Sequence, residues 1–543
     1  MRKHKPQERI FYGTGISDGL AMGRAVIYTD ILLRDHELYT IGQKDVKEEL
    51  NRIEMAFREV SNDLHASALR IEKELNSHMA GIFRAQIEIL NDKLLLDEIK
   101  AELETELINA EQIIKRVFRK WELRFRQLND EQMSCKADDI LDLSRKMLRA
   151  LIGIHAHTLE HLPQGSIIVA KRLLPSDTVF LSRNNTRGIV TEFGGPASHA
   201  ALLTKEIGVP ALSKIPDVIN IIENRDLILL DCINGHLVIN PEEKTRKNFE
   251  KRIEERKVYL INSSKSCCEA SIRKNGQVVS VLANVSCRRD VEVALKNGAE
   301  GIGLFRIENI YLSRKLPPTT QELIDEIRHT IEPAQDKMIT IRLLDVGGDK
   351  KLTYLNYSSG EDSFLGRRGV RFLLEFPELL YTQFNALIKL SENFNIRILV
   401  PMVTFFQEMG LIREIFDDLT TGLQREKPIQ LGAMIETPAA ALCVEEFLPF
   451  VDFLSIGTND LTQYTMAVGR ENSSVTQYFV ENHPSIIKMI DHVVKNSGGI
   501  PISICGELAA KFEAISTLVD SGIGTLSVAP SLIPQVKNVI REC

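Results

Sequence analysis

The chain has no apolar run approaching the length of a membrane-spanning helix anywhere in its 543 residues. No apolar segment of secretory-leader type follows Met1-Arg-Lys-His-Lys-Pro6. Both absences argue against direct membrane insertion and lead us to expect a cytoplasmic protein. There is no surplus of positive charge: 67 Lys and Arg stand against 74 Asp and Glu, a net charge of −7. That leaves no electrostatic footprint for nucleic acid, and none is expected as a partner. There is also no CxxC spacing among Cys135, Cys232, Cys267, Cys268, Cys287, Cys443, Cys505 and Cys543. The only close pair is the adjacent Cys267-Cys268, which argues against a zinc site or a disulfide framework. Proline is missing between Pro6 and Pro163, so nothing in that stretch forbids long helices.

What is present has the composition of a globular protein, 44% hydrophobic and 26% charged, and the length calls for two to four domains. Residues 11–28 carry four glycines and a closing apolar run, which reads as two short strands with turns. From 31 to 150 the texture becomes helical. Leu64, Leu69, Ile71 and Leu75 recur at helical spacing among charges, and long helices are expected over 45–90, 97–128 and 138–154. Such a bundle is either purely structural or a docking surface. Alternation returns over 165–240, with short buried strands at 167–170, 188–191, 210–212, 227–231 and 235–239. We read 1–30 together with 151–240 as one α/β domain, 31–150 as a helical insert within it, and 241–266 as a charged linker helix. From 267 to 543 strand candidates alternate with helical segments. They fall at 278–285, 301–305, 339–346, 396–402, 431–435, 453–456, 500–504 and 525–528. Eight βα units over roughly 265 residues fit a (β/α)8 barrel, whose typical size is about 250.

Two places carry candidate chemistry. In 191–210, a strand, a glycine turn and a helix start follow one another. Gly194 and Gly195 permit a tight turn, and Ser198 suits an N-cap. His199 then falls in the first helical turn, where free N–H groups and the dipole favour an anion. That suits a nucleophilic histidine, and taken locally it suits a turn histidine without chemistry equally well. The second place is the barrel mouth, since barrel enzymes work at the carboxyl ends of their strands. Arg306, Glu436, Asp460 and Cys505 follow strand candidates, the third candidate holds Arg342, and Arg470 comes soon after. Glu436 and Asp460 suit a divalent cation, which takes one or two carboxylates plus substrate oxygens. Arg306, Arg342 and Arg470 suit a phosphate, with Arg368 a further candidate. Cys505 is either a proton donor to an enolate or a core cysteine.

Taken together, these motifs resemble enzyme I of the phosphoenolpyruvate:sugar phosphotransferase system over nearly the whole chain. Gly-Ile-Gly-Leu-Phe-Arg306, Leu-Asp-Val-Gly-Gly-Asp-Lys350, Phe-Leu-Gly-Arg-Arg368, Ile-Glu-Thr-Pro-Ala-Ala440, Ser-Ile-Gly-Thr-Asn-Asp-Leu-Thr-Gln-Tyr464 and Cys-Gly-Glu-Leu-Ala509 look like that family's phosphoenolpyruvate-binding barrel. Gly-Gly-Pro-Ala-Ser-His199 looks like its phosphohistidine turn. The resemblance implies a multidomain α/β protein: a swivelling phosphohistidine domain with an inserted helical bundle, followed by a TIM barrel. It implies that phosphoenolpyruvate places its phosphate on Arg306 and Arg342 and its carboxylate near Asn459 and Arg470. Mg2+ on Glu436 and Asp460, a nucleophilic His199 beside Thr178, and protonation of the departing enolate by Cys505 follow from the same likeness. So do Lys350 and Arg368 as supporting residues, the carrier protein HPr docked on the helical insert, and a homodimer through the barrels. The sequence departs from the family pattern at Pro196-Ala197, where Arg-Thr is usual, and at Lys136, Leu343 and Gly469. Those departures raise the alternative of a weakened relative that binds phosphoenolpyruvate or HPr and regulates with little turnover. A third reading, a barrel enzyme acting on carbon bonds at pyruvate enolate, leaves the histidine domain without a role.

Overall fold

The computed structural model describes residues 8–28, 38–74, 77–127, 131–154, 159, 162–181, 186–194, 198–312, 314, 316–347, 352, 354–355, 365–423, 428–469 and 475–543. They fall into two compact units, Met1–Arg256 and Lys257–Cys543.

The first unit is built on one eight-stranded sheet. Its strands are β1 (Arg9–Tyr12), β2 (Thr14–Ser17), β3 (Leu20–Tyr28), β4 (Ser166–Ala170), β5 (Gly188–Thr191), β6 (Ala211–Ser213), β7 (Leu227–Asp231) and β8 (His236–Ile239), in the order β1-β8-β7-β3-β4-β5-β6-β2. The centre, β3-β4-β5-β6, is parallel, and β4 and β5 are buried along their whole length, as their unbroken apolar runs require. The outer strands are antiparallel. The β7–β8 connection turns at Gly235, whose φ of +72° and closeness to the Gly13 carbonyl leave no place for a side chain. Residues 9–28 thus complete the sheet of a domain whose other strands begin more than 130 residues later, across the helical insert.

Among its described residues that insert holds five helices where the periodicity suggests three: α1 (Val46–Glu74), α2 (Ser77–Leu90), α3 (Lys93–Glu106), α4 (Ala110–Gln127) and α5 (Glu131–Leu151). Two of the breaks have polar and backbone causes rather than proline. Asp92 caps α3 by accepting from Leu94 N at 2.8 Å. Leu107 adopts a left-handed conformation that ends α3. The first N–H of α4, on Ala110, is taken up by Glu49 Oε2 at 2.8 Å. Leu64, Phe83, Leu90 and Leu103 are fully buried between the helices. Leu203, from the helix α7 (His199–Ile207) of the sheet domain, belongs to the same core. Between these lie α6 (Pro175–Leu181) and, after α7, α8 (Val218–Ile221). The charged stretch near 241–264 forms α9 (Glu243–Lys265), lined with exposed pairs such as Lys247–Glu243.

The second unit is a closed barrel of eight parallel strands: β9 (Ser280–Val285), β10 (Ile302–Arg306), β11 (Ile339–Arg342), β12 (Ile396–Val400), β13 (Gln430–Ile435), β14 (Phe453–Ile456), β15 (Ile502–Ile504) and β16 (Thr525–Val528). Each pairs with the next, and β16 closes on β9 with Ser280 opposite Thr525. The expected strand positions coincide with these, trimmed by a few residues at their ends. Leu304, Leu399, Met434, Phe453 and Cys505 form a small core cluster of their own, so Cys505, just beyond β15, shares a core with residues of β10, β12, β13 and β14.

Trp121 is the one tryptophan and stands on α4. Phe83→Ala should therefore lower the unfolding free energy of the first unit by about 3–5 kcal/mol, read as an earlier urea midpoint in tryptophan fluorescence. An unchanged midpoint would contradict the packing of α2 against α1 and α5.

Candidate functional site

The parallel strands of the first unit end on one side, and the histidine turn stands there. After β5 the backbone passes Gly194, with φ of +138°, and reaches Ser198, whose Oγ accepts from Ala201 N at 3.3 Å and caps α7. His199 is the first residue of that helix, where N–H groups are free of intrahelical partners. Gly195, Pro196 and Ala197 lie outside the described residues.

The partner of His199 comes from α5: Nδ1 lies 3.1 Å from Asp139 Oδ1. Asp139 is 2% exposed, and the His199 side chain 27%. An ionised carboxylate can only accept, so Nδ1 carries the proton and Nε2 is left with its lone pair. Burial by itself lowers the imidazolium's pKa, but the Asp139 hydrogen bond and the charges of Asp139 and Asp138 outweigh it, and the net shift is upward. Asp139 is held in turn by Gln86 Nε2 at 3.3 Å, which also donates to Asp142 at 3.1 Å. Asp142 accepts from Ser176 N at 3.0 Å and from its hydroxyl. Arg145 pairs with Asp177 at 2.9 Å, with both side chains buried, and Tyr28 OH donates to Asp177 at 2.7 Å. The helix that supplies Asp139 is thus tied to α6 and β3 next to the histidine helix. Thr178, expected beside His199, gives its hydroxyl proton to Pro175 O at 2.6 Å instead. Thr178 is fully buried in the first turns of α6, and its nearest acceptor is the carbonyl three residues back. The residue the sequence reading lacked is Asp139. It lies 60 positions from His199 on a separate helix, and no local pattern joins them.

In the barrel unit, Arg342 ends β11 fully buried, bonded to Glu308 at 2.6 Å and to Asp345 at 3.1 Å. Arg368 bridges Asp345, at 3.0 Å from Nε and Nη2, and Asp460, at 2.9 and 3.3 Å from Nη1 and Nη2. Glu436 is fully buried after β13 and accepts from Met402 N at 2.6 Å. Burial, together with the negative charges of Asp460 and Asp345, pushes its pKa well above the usual carboxylate range, against the opposing pull of Arg342 and Arg368. Asn459 exchanges hydrogen bonds with Glu507, 2.7 Å to its N–H and 3.2 Å to its carboxylate. Cys505 is 3% exposed and receives the Ser455 hydroxyl at 3.3 Å. Its thiol is pushed up, chiefly by burial and also by Glu436, against the Ser455 bond and the charges of Arg306 and Arg342. It therefore keeps its proton at neutral pH.

The structure brings Arg342, Arg368, Glu436 and Asp460 into one charged cluster, with Cys505 within electrostatic reach of Glu436, Arg306 and Arg342. The sequence reading ranks Arg368 below Arg342; here it is the guanidinium that joins Asp345 to Asp460. Glu308 was not foreseen at all. Lys350 and Arg470 lie outside the described residues. Among the described residues, no cluster of three or more His, Cys, Asp or Glu is arranged to hold a metal ion. The donor set still fits Mg2+, which needs only one or two carboxylates when substrate oxygens complete its shell. Arg342 and Arg368 are already paired with Glu308, Asp345 and Asp460, while burial first, and then the charges of Asp460 and Asp345, raise Glu436. No helix among the described residues is long and apolar enough to cross a membrane.

Residues 263–543 match the family model described as PEP-utilising enzyme, PEP-binding domain. Residues 12–135 match its N-terminal model and 162–235 its mobile-domain model. The chain is 32% identical to the phosphoenolpyruvate-protein phosphotransferase of Priestia megaterium over 540 residues, which is 98% of this chain and 93% of that one. It is equally similar to the proteins of that name from Geobacillus stearothermophilus (32% over 548 residues, 99% and 94%) and Bacillus subtilis strain 168 (32% over 536 residues, 96% and 92%).

The raised pKa of His199 carries a sign. Its contribution to stability is full below the unfolded-state value of about 6.5 and fades as pH rises through the folded value. Asp139→Asn keeps the burial and removes the charge. The His199 ring should then titrate lower than in the parent chain by NMR, and the pH-dependent part of the stability should shrink. An unmoved titration would show that Asp139 does not set the ring's charge.

Proposed function

The chain belongs to the family of phosphoenolpyruvate-protein phosphotransferases, which are phosphoenolpyruvate-utilising enzymes, and we propose that it moves the phosphoryl group of phosphoenolpyruvate to His199 Nε2 and then to a histidine of the carrier protein HPr. In this reading the barrel mouth binds phosphoenolpyruvate. Arg306 and Arg342 take the phosphate oxygens, and Asn459 and Arg470 take the carboxylate. Arg368 and Lys350 add positive charge beside them. Glu308 and Asp345 hold Arg342 in place before substrate arrives, so the fork is ready without reorganisation. Glu436 and Asp460 would hold Mg2+, which when bound neutralises charge on the phosphate and carboxylate. His199 attacks phosphorus through Nε2, the P–O bond to the enol oxygen breaks, and Cys505 gives its proton to the enolate carbon, releasing pyruvate. Positioning and charge neutralisation do most of the work in such a transfer. Asp139 stays bonded to Nδ1–H throughout, which keeps the ring in the tautomer that presents Nε2 and stabilises the positive charge the ring gains on attack.

The observation that carries this reading is the His199–Asp139 pair at a helix N-terminus, in one chain with a buried thiol and an arginine–carboxylate mouth. We place HPr on the helical insert and a homodimer contact on the barrel by likeness to the family. By the same likeness we assign the reaction to the cytoplasm, as the first step of a sugar phosphotransferase system. Incubation with phosphoenolpyruvate carrying labelled phosphate, with and without Mg2+, tests it. Label should be acid-labile, Mg2+-dependent, absent in His199→Ala, and transferable to added HPr. Cys505→Ala should slow pyruvate formation by about 10²-fold or more. Binding of phosphoenolpyruvate without labelling would instead favour a regulatory relative.

A further inference from the structure

The first unit contains a cavity of about 940 Å3 whose lining includes neither His199 nor Ser198. It opens at the carboxyl ends of three parallel strands. Tyr28 ends β3, Lys171 follows β4, and Phe193 stands two residues beyond β5. In α/β sheets that end is where ligands collect. The facing wall comes from α4 and α5, and its apolar part is Phe118 and Leu141. Among the described residues, seven basic side chains line the cavity against one acid, Glu122.

The ion pairs around it leave positive charge over. Glu122 is shared by Arg119 at 2.5 Å and Arg126 at 2.8 Å. Asp138 is shared by Arg126 at 3.0 Å and by Arg172. Two carboxylates thus serve three guanidiniums, and Lys171 makes no ion pair among the described residues. Instead Lys171 and Arg172 flank the ring of Phe193, at 5.8 and 5.7 Å from its centroid. Phe193 is 43% exposed, an unusual position for a phenylalanine on a cavity wall. An exposed aromatic face takes a planar ring, and under-neutralised guanidiniums take phosphate oxygens in pairs. A volume of this size is at the upper end of small-molecule sites.

We propose that this cavity binds a nucleoside polyphosphate, with its base against Phe193 and its phosphates on Arg126, Arg172 and Lys171. The site is separate from the barrel mouth and does not depend on the phosphotransferase reading. Its acid partner Asp138 is the chain neighbour of Asp139, so occupancy would be felt at His199.

Fluorescence anisotropy of N-methylanthraniloyl-ADP with the full-length chain tests this. Binding in about the micromolar range is expected. ADP should displace the probe, with adenosine and pyrophosphate each weaker by about tenfold or more, since each supplies half of the contacts. Phosphoenolpyruvate should leave the probe bound, which separates this cavity from the barrel. Phe193→Ala and Lys171→Glu alter exposed side chains, so circular dichroism should be unchanged, and each should weaken binding by about tenfold or more. No anisotropy change up to about 1 mM probe, where only contacts of millimolar strength remain, would overturn the proposal. So would an unchanged affinity in either variant, or displacement by phosphoenolpyruvate.

Discussion

One face of helix α5 organises the first unit. Asp139, Asp142, Arg145 and Arg149 recur at intervals of three or four, so they share a stripe. Each reaches out of the helical insert: Asp139 to His199, Asp142 to Ser176, Arg145 to Asp177, and Arg149 to Tyr28 OH at 3.3 Å. Leu203 adds an apolar contact to the core of the insert, but the stripe itself is polar. It docks because buried charges must find partners, and leaving one unpaired costs roughly 3–5 kcal/mol. That requirement fixes the rotation and depth of α5 against α6 and the sheet, and so fixes where Asp139 meets the imidazole. The helical insert thus supplies the carboxylate that sets which nitrogen of His199 is free.

The barrel unit solves a different electrostatic problem. Its mouth concentrates Glu308, Asp345, Glu436 and Asp460 around Arg342 and Arg368 in a buried setting. An anionic substrate alone fits such a place poorly, since the arginines are already engaged. An anion that arrives with a divalent cation fits well, because the cation answers the carboxylates while the anion takes the guanidiniums. Cys505 completes the arrangement as a thiol that burial keeps protonated. In the proposed reaction the proton donor is thus charged with its proton in the resting protein.

Much of this was readable in the sequence, and the limits follow from physics. Buried parallel strands read as continuous apolar runs, so the barrel strands stand out, and so do Glu436, directly after β13, and Asp460, shortly after β14. Ser198 could be recognised as a cap because capping is local. Helix breaks at Asp92 and Leu107 were hidden, since a side-chain cap and a left-handed leucine leave no glycine or proline behind. Thr178 was expected to hydrogen-bond His199, and that its hydroxyl proton goes to Pro175 O within its own turn is visible only in the structure. Asp139 and Glu308 were invisible as partners, because each meets its histidine or arginine across a long stretch of chain, and only the fold makes that meeting.

The central claim is that Asp139 holds the proton on Nδ1 and leaves Nε2 to react. Long-range proton–nitrogen correlation of the His199 ring, at a pH where the ring is neutral, reads this directly. The account predicts a protonated Nδ1 and an unprotonated Nε2, with that pattern weakened in Asp139→Asn. A ring protonated at Nε2 in the unaltered chain would contradict it.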